Sequence, residues 1–167
     1  MNKLHVVFGS QGAGKSTYAA KLAEKVNGVY FSIDEWMSEL YGADLPKPMD
    51  IKWIMERVAR AEKRIWTTAK QIAACGGNVI LDLGFMKVSN RDTFLNLAKE
   101  AGILTQLHYV DAPYPVRFKR VQERNSQKGD TFSFEVTPAM FEFMEKEFET
   151  PTEKEFHDAI RIDTTEN

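Results

Sequence analysis

The segment Gly9-Ser10-Gln11-Gly12-Ala13-Gly14-Lys15-Ser16-Thr17 constrains this chain more than any other. It follows the apolar run Leu4-His5-Val6-Val7-Phe8, and a stretch with helical spacing comes after it. Gly9, four residues, Gly14, Lys15 and Ser16 complete the P-loop pattern. Glycines let the backbone curl so that successive N–H groups converge on one anion. The helix that begins near Lys15 turns its positive dipole end on the same point. Lys15 is spaced to reach the β- and γ-phosphates of a nucleoside triphosphate, and the Ser16 hydroxyl to ligate Mg²⁺. Gly9, Gln11, Gly12, Ala13, Gly14, Lys15, Ser16 and Thr17 are therefore the expected nucleotide-binding set, with ATP and Mg²⁺ as the expected ligands. A dinucleotide fingerprint, Gly-x-Gly-x-x-Gly, does not fit, because the glycines fall at Gly9, Gly12 and Gly14.

Such a loop needs a strand before it and a helix after it, and the rest of the chain repeats that alternation. Residues 15–26 place Ala19, Leu22, Ala23 and Val26 on one helical face. Asn27-Gly28 stops them, and residues 29–33 read as a second strand. A short helix is expected over 35–41, then a loop through Gly42 and Pro46-Lys47-Pro48. Asp50 suits the N-cap of a long helix whose apolar positions keep helical spacing from Ile51 to Ile72, up to Gly76-Gly77. Residues 78–83 form a third strand. Ser89 or Asn90 caps the next helix, and 103–110 is a fourth strand. A basic helix opens at Pro113 or Pro115 and runs to about residue 127. Lys128-Gly129-Asp130 reads as a turn, and 131–136 is ambiguous. Thr137-Pro138 has the pattern of a cap with proline at the first helical position. Residues 159–163 make a final strand. This alternation predicts an α/β P-loop NTPase fold over residues 1–167. It has three α/β/α layers, about five mainly parallel strands, and a helical lid at about 114–136.

Ligands of open α/β sheets bind beyond the carboxyl ends of the strands. Two acids fall there. Asp82 ends the apolar run Val79-Ile80-Leu81, where a bare charge is costly without a partner, so it reads as a Mg²⁺-orienting acid or a structural strand-end acid. Asp34 follows the second strand. It is placed either to accept a proton from an acceptor hydroxyl or to cap the helix after it. Trp36 and Tyr41 lie close by and are candidates to line an acceptor pocket, with Arg91 as a candidate substrate ligand or a surface residue. Arg117, Arg120 and Arg124 share one face of the basic helix, as a lid stabilising a transferred phosphoryl group requires. Arg120 and Arg124 are the catalytic candidates; a solvated charged face is the alternative.

Together these elements resemble small P-loop kinase-like proteins of the AAA-type ATP-binding family, similar to zeta toxins, chloramphenicol phosphotransferase and polynucleotide kinase domains. The resemblance rests on Gly9 to Thr17, Ser32-Ile33-Asp34-Glu35-Trp36, Val79-Ile80-Leu81-Asp82, Arg120-Val121-Gln122-Glu123-Arg124, and the segment from Val136-Thr137-Pro138 to Pro151. It implies phosphoryl transfer from ATP to a hydroxyl, with Lys15 on the phosphates, Asp34 matching the base, and Arg124 or Arg120 matching the lid arginine. Met37 and Ser38 stand where nucleoside monophosphate kinases often carry an arginine, which weighs against a nucleotide acceptor. Asp111-Ala112-Pro113 follows the fourth strand in place of a guanine-reading motif, which weighs against a GTPase switch. The expected acceptor is a small molecule. A 5′-hydroxyl nucleic-acid end, or an ATPase module without an acceptor, is the alternative.

Composition narrows the partners. Net charge is −2 over 167 residues, with 43% hydrophobic residues, so the whole-molecule field offers no broad attraction to nucleic acid or an anionic membrane. One cysteine, Cys75, forms no internal disulfide. No apolar run reaches membrane-spanning length, and the N-terminal one leads into the glycine loop rather than a cleavage site. The expectation is a cytoplasmic monomer or weak dimer.

Overall fold

A computed structural model of the protein describes residues 3–128 and 135–166. Five strands form its centre: β1 (Leu4–Phe8), β2 (Gly28–Ser32), β3 (Asn78–Asp82), β4 (Thr105–Asp111) and β5 (Ile160–Asp163). They pair in parallel throughout, in the order β2-β3-β1-β4-β5. From β1 the chain runs to β2 at one edge, returns to β3, then crosses β1 to β4 and β5. The order reverses at β1, which opens a crevice at its carboxyl end. The P-loop leaves β1 at that point.

All of β1 is buried, as a central strand covered on both faces must be. Leu4, Val6 and Phe8 join Leu81, Leu107 and Tyr109 on one face. That face is covered by α3 (Ile51–Ala74) and α4 (Val88–Glu100), through Ala61, Ile65, Ala69, Phe94 and Ala98. Val7, Ile80 and Val110 point the other way, against Ala19, Leu22 and Ala23 of α1 (Lys15–Val26). Alanines at these contacts let helix and sheet approach closely. A third cluster unites α5 (Tyr114–Gln127) and α6 (Pro138–Glu147) through Val121, Val136 and Phe141. Fully burying the Phe141 ring contributes about 1.5–3 kcal/mol.

The expected α/β fold is therefore present, with shifts at several element ends. The second helix, α2 (Ile33–Tyr41), begins two residues earlier than its spacing suggests, because Ser32 caps it by accepting from the Glu35 N–H at 3.3 Å. Asp34 thus lies in the first turn and is not spent on capping. Helix α4 begins at Val88 without a side-chain cap, so Ser89 and Asn90 sit inside it. A further helix, α7 (Glu153–Asp158), is held by a capping box between Thr152 and Glu155 that the sequence reading overlooked. Residues 129–134, and with them most of the expected turn at 128–130 and the ambiguous stretch inside the lid, lie outside the described residues. Among the described residues no helix is long and apolar enough to cross a membrane.

Candidate functional site

Sequence alone requires that Gly9, Gly12 and Gly14 lack side chains, and the structure shows why. A Cβ on Gly9 would lie 2.0 Å from the Val110 carbonyl oxygen, and one on Gly12 would lie 2.6 Å from that of Arg117. Gly14 caps α1 with φ 93°, in the left-handed region that glycine tolerates. Lys15 folds back so that its Nζ donates to the Ser10 carbonyl at 3.1 Å. Burial lowers the Lys15 pKa, while the charges of Asp82 and Asp34 oppose that shift. An anion in the loop would restore full preference for the ammonium.

Ser16 Oγ donates to Asp82 Oδ2 at 2.9 Å, and the Tyr30 hydroxyl donates to the same oxygen at 3.2 Å. Burial raises the Asp82 pKa, and Lys15 is the main opposing influence. Burial and the Asp82 charge push the Tyr30 hydroxyl up, so it stays a donor. Ser16 and Asp82 offer hard oxygen atoms that could hold Mg²⁺. Among the described residues no group of three or more His, Cys, Asp or Glu could hold a metal alone. That donor set matches an ion that takes its remaining ligands from water and nucleotide phosphates.

Three arginines of α5 meet three environments. Arg117 is buried: Nε donates to the Ala112 carbonyl at 2.8 Å, Nη1 to the Gln11 carbonyl at 3.2 Å, and both terminal nitrogens pair with Glu145. It ties the P-loop to α5 and α6. Arg120 donates from Nη1 to Thr164 Oγ1 at 2.9 Å and from Nη2 to the Thr164 carbonyl. Thr164 Oγ1 in turn donates to the Ala13 carbonyl at 2.6 Å. Arg124 Nε is buried with no hydrogen-bond partner. Burial lowers the Arg124 pKa and the Asp34 charge opposes this. A buried donor left without an acceptor is costly unless something arrives to pair with it.

One open cleft of about 310 Å³ gathers Gln11, Gly12, Gly14, Lys15, Ser16, Thr17, Asp34, Asp82, Arg120 and Arg124. Its size lies at the low end of small-molecule sites. The family model of the AAA domain matches residues 4–151. The chain belongs to that family. Shikimate kinase of Baumannia cicadellinicola subsp. Homalodisca coagulata is 30% identical over 135 residues, which is 80% of this chain and 74% of that protein. A solved Chloroflexus aurantiacus structure, of a protein proposed to be a kinase, has a TM-score of 0.76 at 20% identity, over 99% of this chain and 89% of that one. Chaetomium thermophilum Kti12, solved in complex with ADP-AlF3, has a TM-score of 0.71 at 17% identity, over 98% and 89%. At those identities the two structures speak for the fold. The domain is a kinase-like P-loop nucleoside triphosphatase.

Three expectations about the acceptor side are corrected by this geometry. Arg91 does not border the cleft. It is fully buried, pairs with Glu155 at 2.5 Å, and donates to the Phe85 carbonyl at 2.9 Å. Its guanidinium is spent on the fold. Trp36 also turns away: half-buried, it packs on the core beside Phe31, with ring centroids 5.9 Å apart. Tyr41 stacks edge-on to Trp53 instead of lining the cleft. Gly84, Met86 and Met144 also line the cleft, and the sequence reading missed them. Gly84 and Phe85 have φ of 85° and 47°, and this turn brings Met86 to the cleft. A glycine just after a strand-end acid was the available signal. Thr164 and Tyr30 had none beyond their places near strand ends.

Proposed function

We propose that this protein is an ATP-dependent phosphotransferase that moves the γ-phosphate of ATP to a hydroxyl of a small molecule. One observation carries the reading: half-buried Arg124 brings a guanidinium whose buried Nε has no hydrogen-bond partner to the cleft that the P-loop and Asp34 share. An arginine and a carboxylate beside the P-loop suit the movement of a phosphoryl group better than nucleotide binding alone. Lys15 and the loop amides hold the phosphates. Ser16 and Asp82 would hold Mg²⁺, which would neutralise phosphate charge there. Asp34 takes the acceptor's hydroxyl proton as that oxygen bonds to the γ-phosphorus. The bond from this phosphorus to the β,γ-bridging oxygen breaks and ADP leaves. Arg124 stabilises the charge spread over the transferring oxygens. The shikimate kinase relative supports this class of reaction.

A nucleic-acid acceptor is less well supported. The basic helix is not a continuous exposed stripe: Arg117 pairs with Glu145, Arg120 with Thr164, and Lys119 lies 3.7 Å from Glu123. The test uses γ-labelled ATP with a panel of small alcohols and a 5′-hydroxyl oligonucleotide, on wild type and Asp34→Asn. The proposal expects label on a small alcohol and its loss in Asp34→Asn with ATP binding retained. ATP hydrolysis without any labelled acceptor, or transfer unchanged in Asp34→Asn, sinks it.

A further inference from the structure

The cleft divides along the sheet. Arg120 and Val121 lie on the β4–β5 side of the P-loop, and Asp34, Asp82, Gly84 and Met86 on the β2–β3 side, with Met144 of α6 also on its wall. The phosphates occupy the middle, over Lys15. The acceptor therefore enters from the β2–β3 side. We propose that this acceptor is an uncharged or cationic alcohol, and not a carboxylate or a phosphate ester; the inference rests on the kinase reading above.

The cations are accounted for one by one. Lys15, Arg120 and Arg124 are the only Lys or Arg side chains among the described residues that line the cleft. Lys15 serves the phosphates. Arg120 is bonded to Thr164 on the far side. Arg124 is the one that meets the transferring group. Three cations outside that lining are held by other partners. Arg91 is buried against Glu155. Lys87, next to Met86, lies 3.1 Å from Glu147 and 3.7 Å from Glu149. Arg57 lies over the Trp53 ring at 3.5 Å and donates to the Trp53 carbonyl. Residues 1, 2, 129–134 and 167 contain no Lys or Arg, so none of them adds a cation.

The acceptor side thus offers carboxylates, a glycine and two methionines. The roughly four negative charges of a nucleoside triphosphate take up the charge of Lys15, Arg124 and one Mg²⁺, which leaves none of it for a second anion. A second anion beside Asp34 would meet like charge, with no cleft-lining cation among the described residues beyond Lys15, Arg120 and Arg124 to offset it, in a cleft where screening is weaker than in bulk water. A hydroxyl on a neutral or amino-bearing scaffold meets no such repulsion. Met86 and Met144 suit a scaffold with apolar faces, because the thioether chain adapts to irregular shapes.

The test compares acceptors in four groups with γ-labelled ATP: neutral sugars and polyols, amino alcohols including glucosamine, hydroxy acids including shikimate and gluconate, and phosphate esters including glucose 6-phosphate. The expected result is a kcat/KM at least tenfold higher for the best neutral or amino acceptor than for the best anionic one. Met86→Lys should shift that ratio at least tenfold toward hydroxy acids. Met144→Arg makes the same test at a second position should the first variant not fold. An anionic alcohol preferred by wild type, or an unshifted ratio in a folded variant, overturns the inference and leaves the kinase reading standing. No labelled acceptor in any group, with ATP binding intact by calorimetry, overturns both.

Discussion

Away from the cleft, on the face covered by α1, two imidazoles share one buried relay. His5 Nδ1 and His108 Nε2 are 2.9 Å apart, and His108 Nδ1 lies 2.8 Å from the Tyr18 hydroxyl. One proton can bridge the two rings; two would set N–H against N–H. Burial, then the charges of His5 and Lys3, lowers the His108 pKa to about 4, and burial with Lys3 lowers that of His5. An unfolded histidine titrates near 6.5, so on acidification the unfolded chain takes up the proton first. The stabilisation is complete above 6.5 and is lost as pH falls from there toward 4. At about 1.4 kcal/mol per unit, the 1.5 units from 6.5 down to pH 5 cost about 2 kcal/mol from His108 alone. Glu155 does not confuse this window. Burial raises its pKa, but its bonds to Arg91 and Thr152 bring the net value below the ordinary 4.5, so its contribution fades only below that pH. Urea unfolding followed by tryptophan fluorescence at pH 8, 6.5 and 5 reads the loss directly. His108→Gln should be less stable at pH 8 yet lose about 2 kcal/mol less than wild type on going to pH 5. Parallel pH dependences in the two proteins would refute the assignment. Tyr18 sits on the helix that carries Lys15 and Ser16, so ATP affinity should weaken over the same interval.

Three further outcomes follow from the geometry. Arg124→Ala should lower kcat about 10³-fold or more while ATP binding changes little, whereas Arg120→Ala, which frees Thr164 and with it the Ala13 carbonyl, should mainly raise the KM for ATP; steady-state kinetics separate the two. Gly12→Ala should cost more than the about 1–2 kcal/mol of left-handed strain, because its methyl meets the Arg117 carbonyl, and thermal unfolding with and without ATP will show lower stability and a smaller nucleotide-induced rise in Tm. Arg91→Ala leaves Glu155 buried without its partner and should destabilise by about 3–5 kcal/mol in urea unfolding, with the KM for the acceptor unchanged in the protein that remains folded.

What could be read from the chain alone was whatever depends on near neighbours. The P-loop is legible because its strand, glycines, lysine and helix start are consecutive. Asp82 is legible because a charge that ends an apolar run stands out. The arginines of α5 are legible as a set, since their spacing puts them on one side of a helix, but their roles are decided by partners far away in sequence. Arg117 finds Gln11 and Glu145; Arg120 finds Thr164. Arg91 was misjudged for the same reason: its carboxylate partner arrives 64 residues later, on a short helix whose capping box went unnoticed. A guanidinium held by the fold on all sides is structural. One buried at a cleft with an Nε that the fold leaves unpaired points to something outside the chain. Among the arginines of α5, only Arg124 has a buried nitrogen left in that state, and the carboxylate whose charge it feels is Asp34. Phosphoryl transfer is therefore supported less by the loop, which only binds, than by one arginine whose Nε has no hydrogen-bond partner among the described residues.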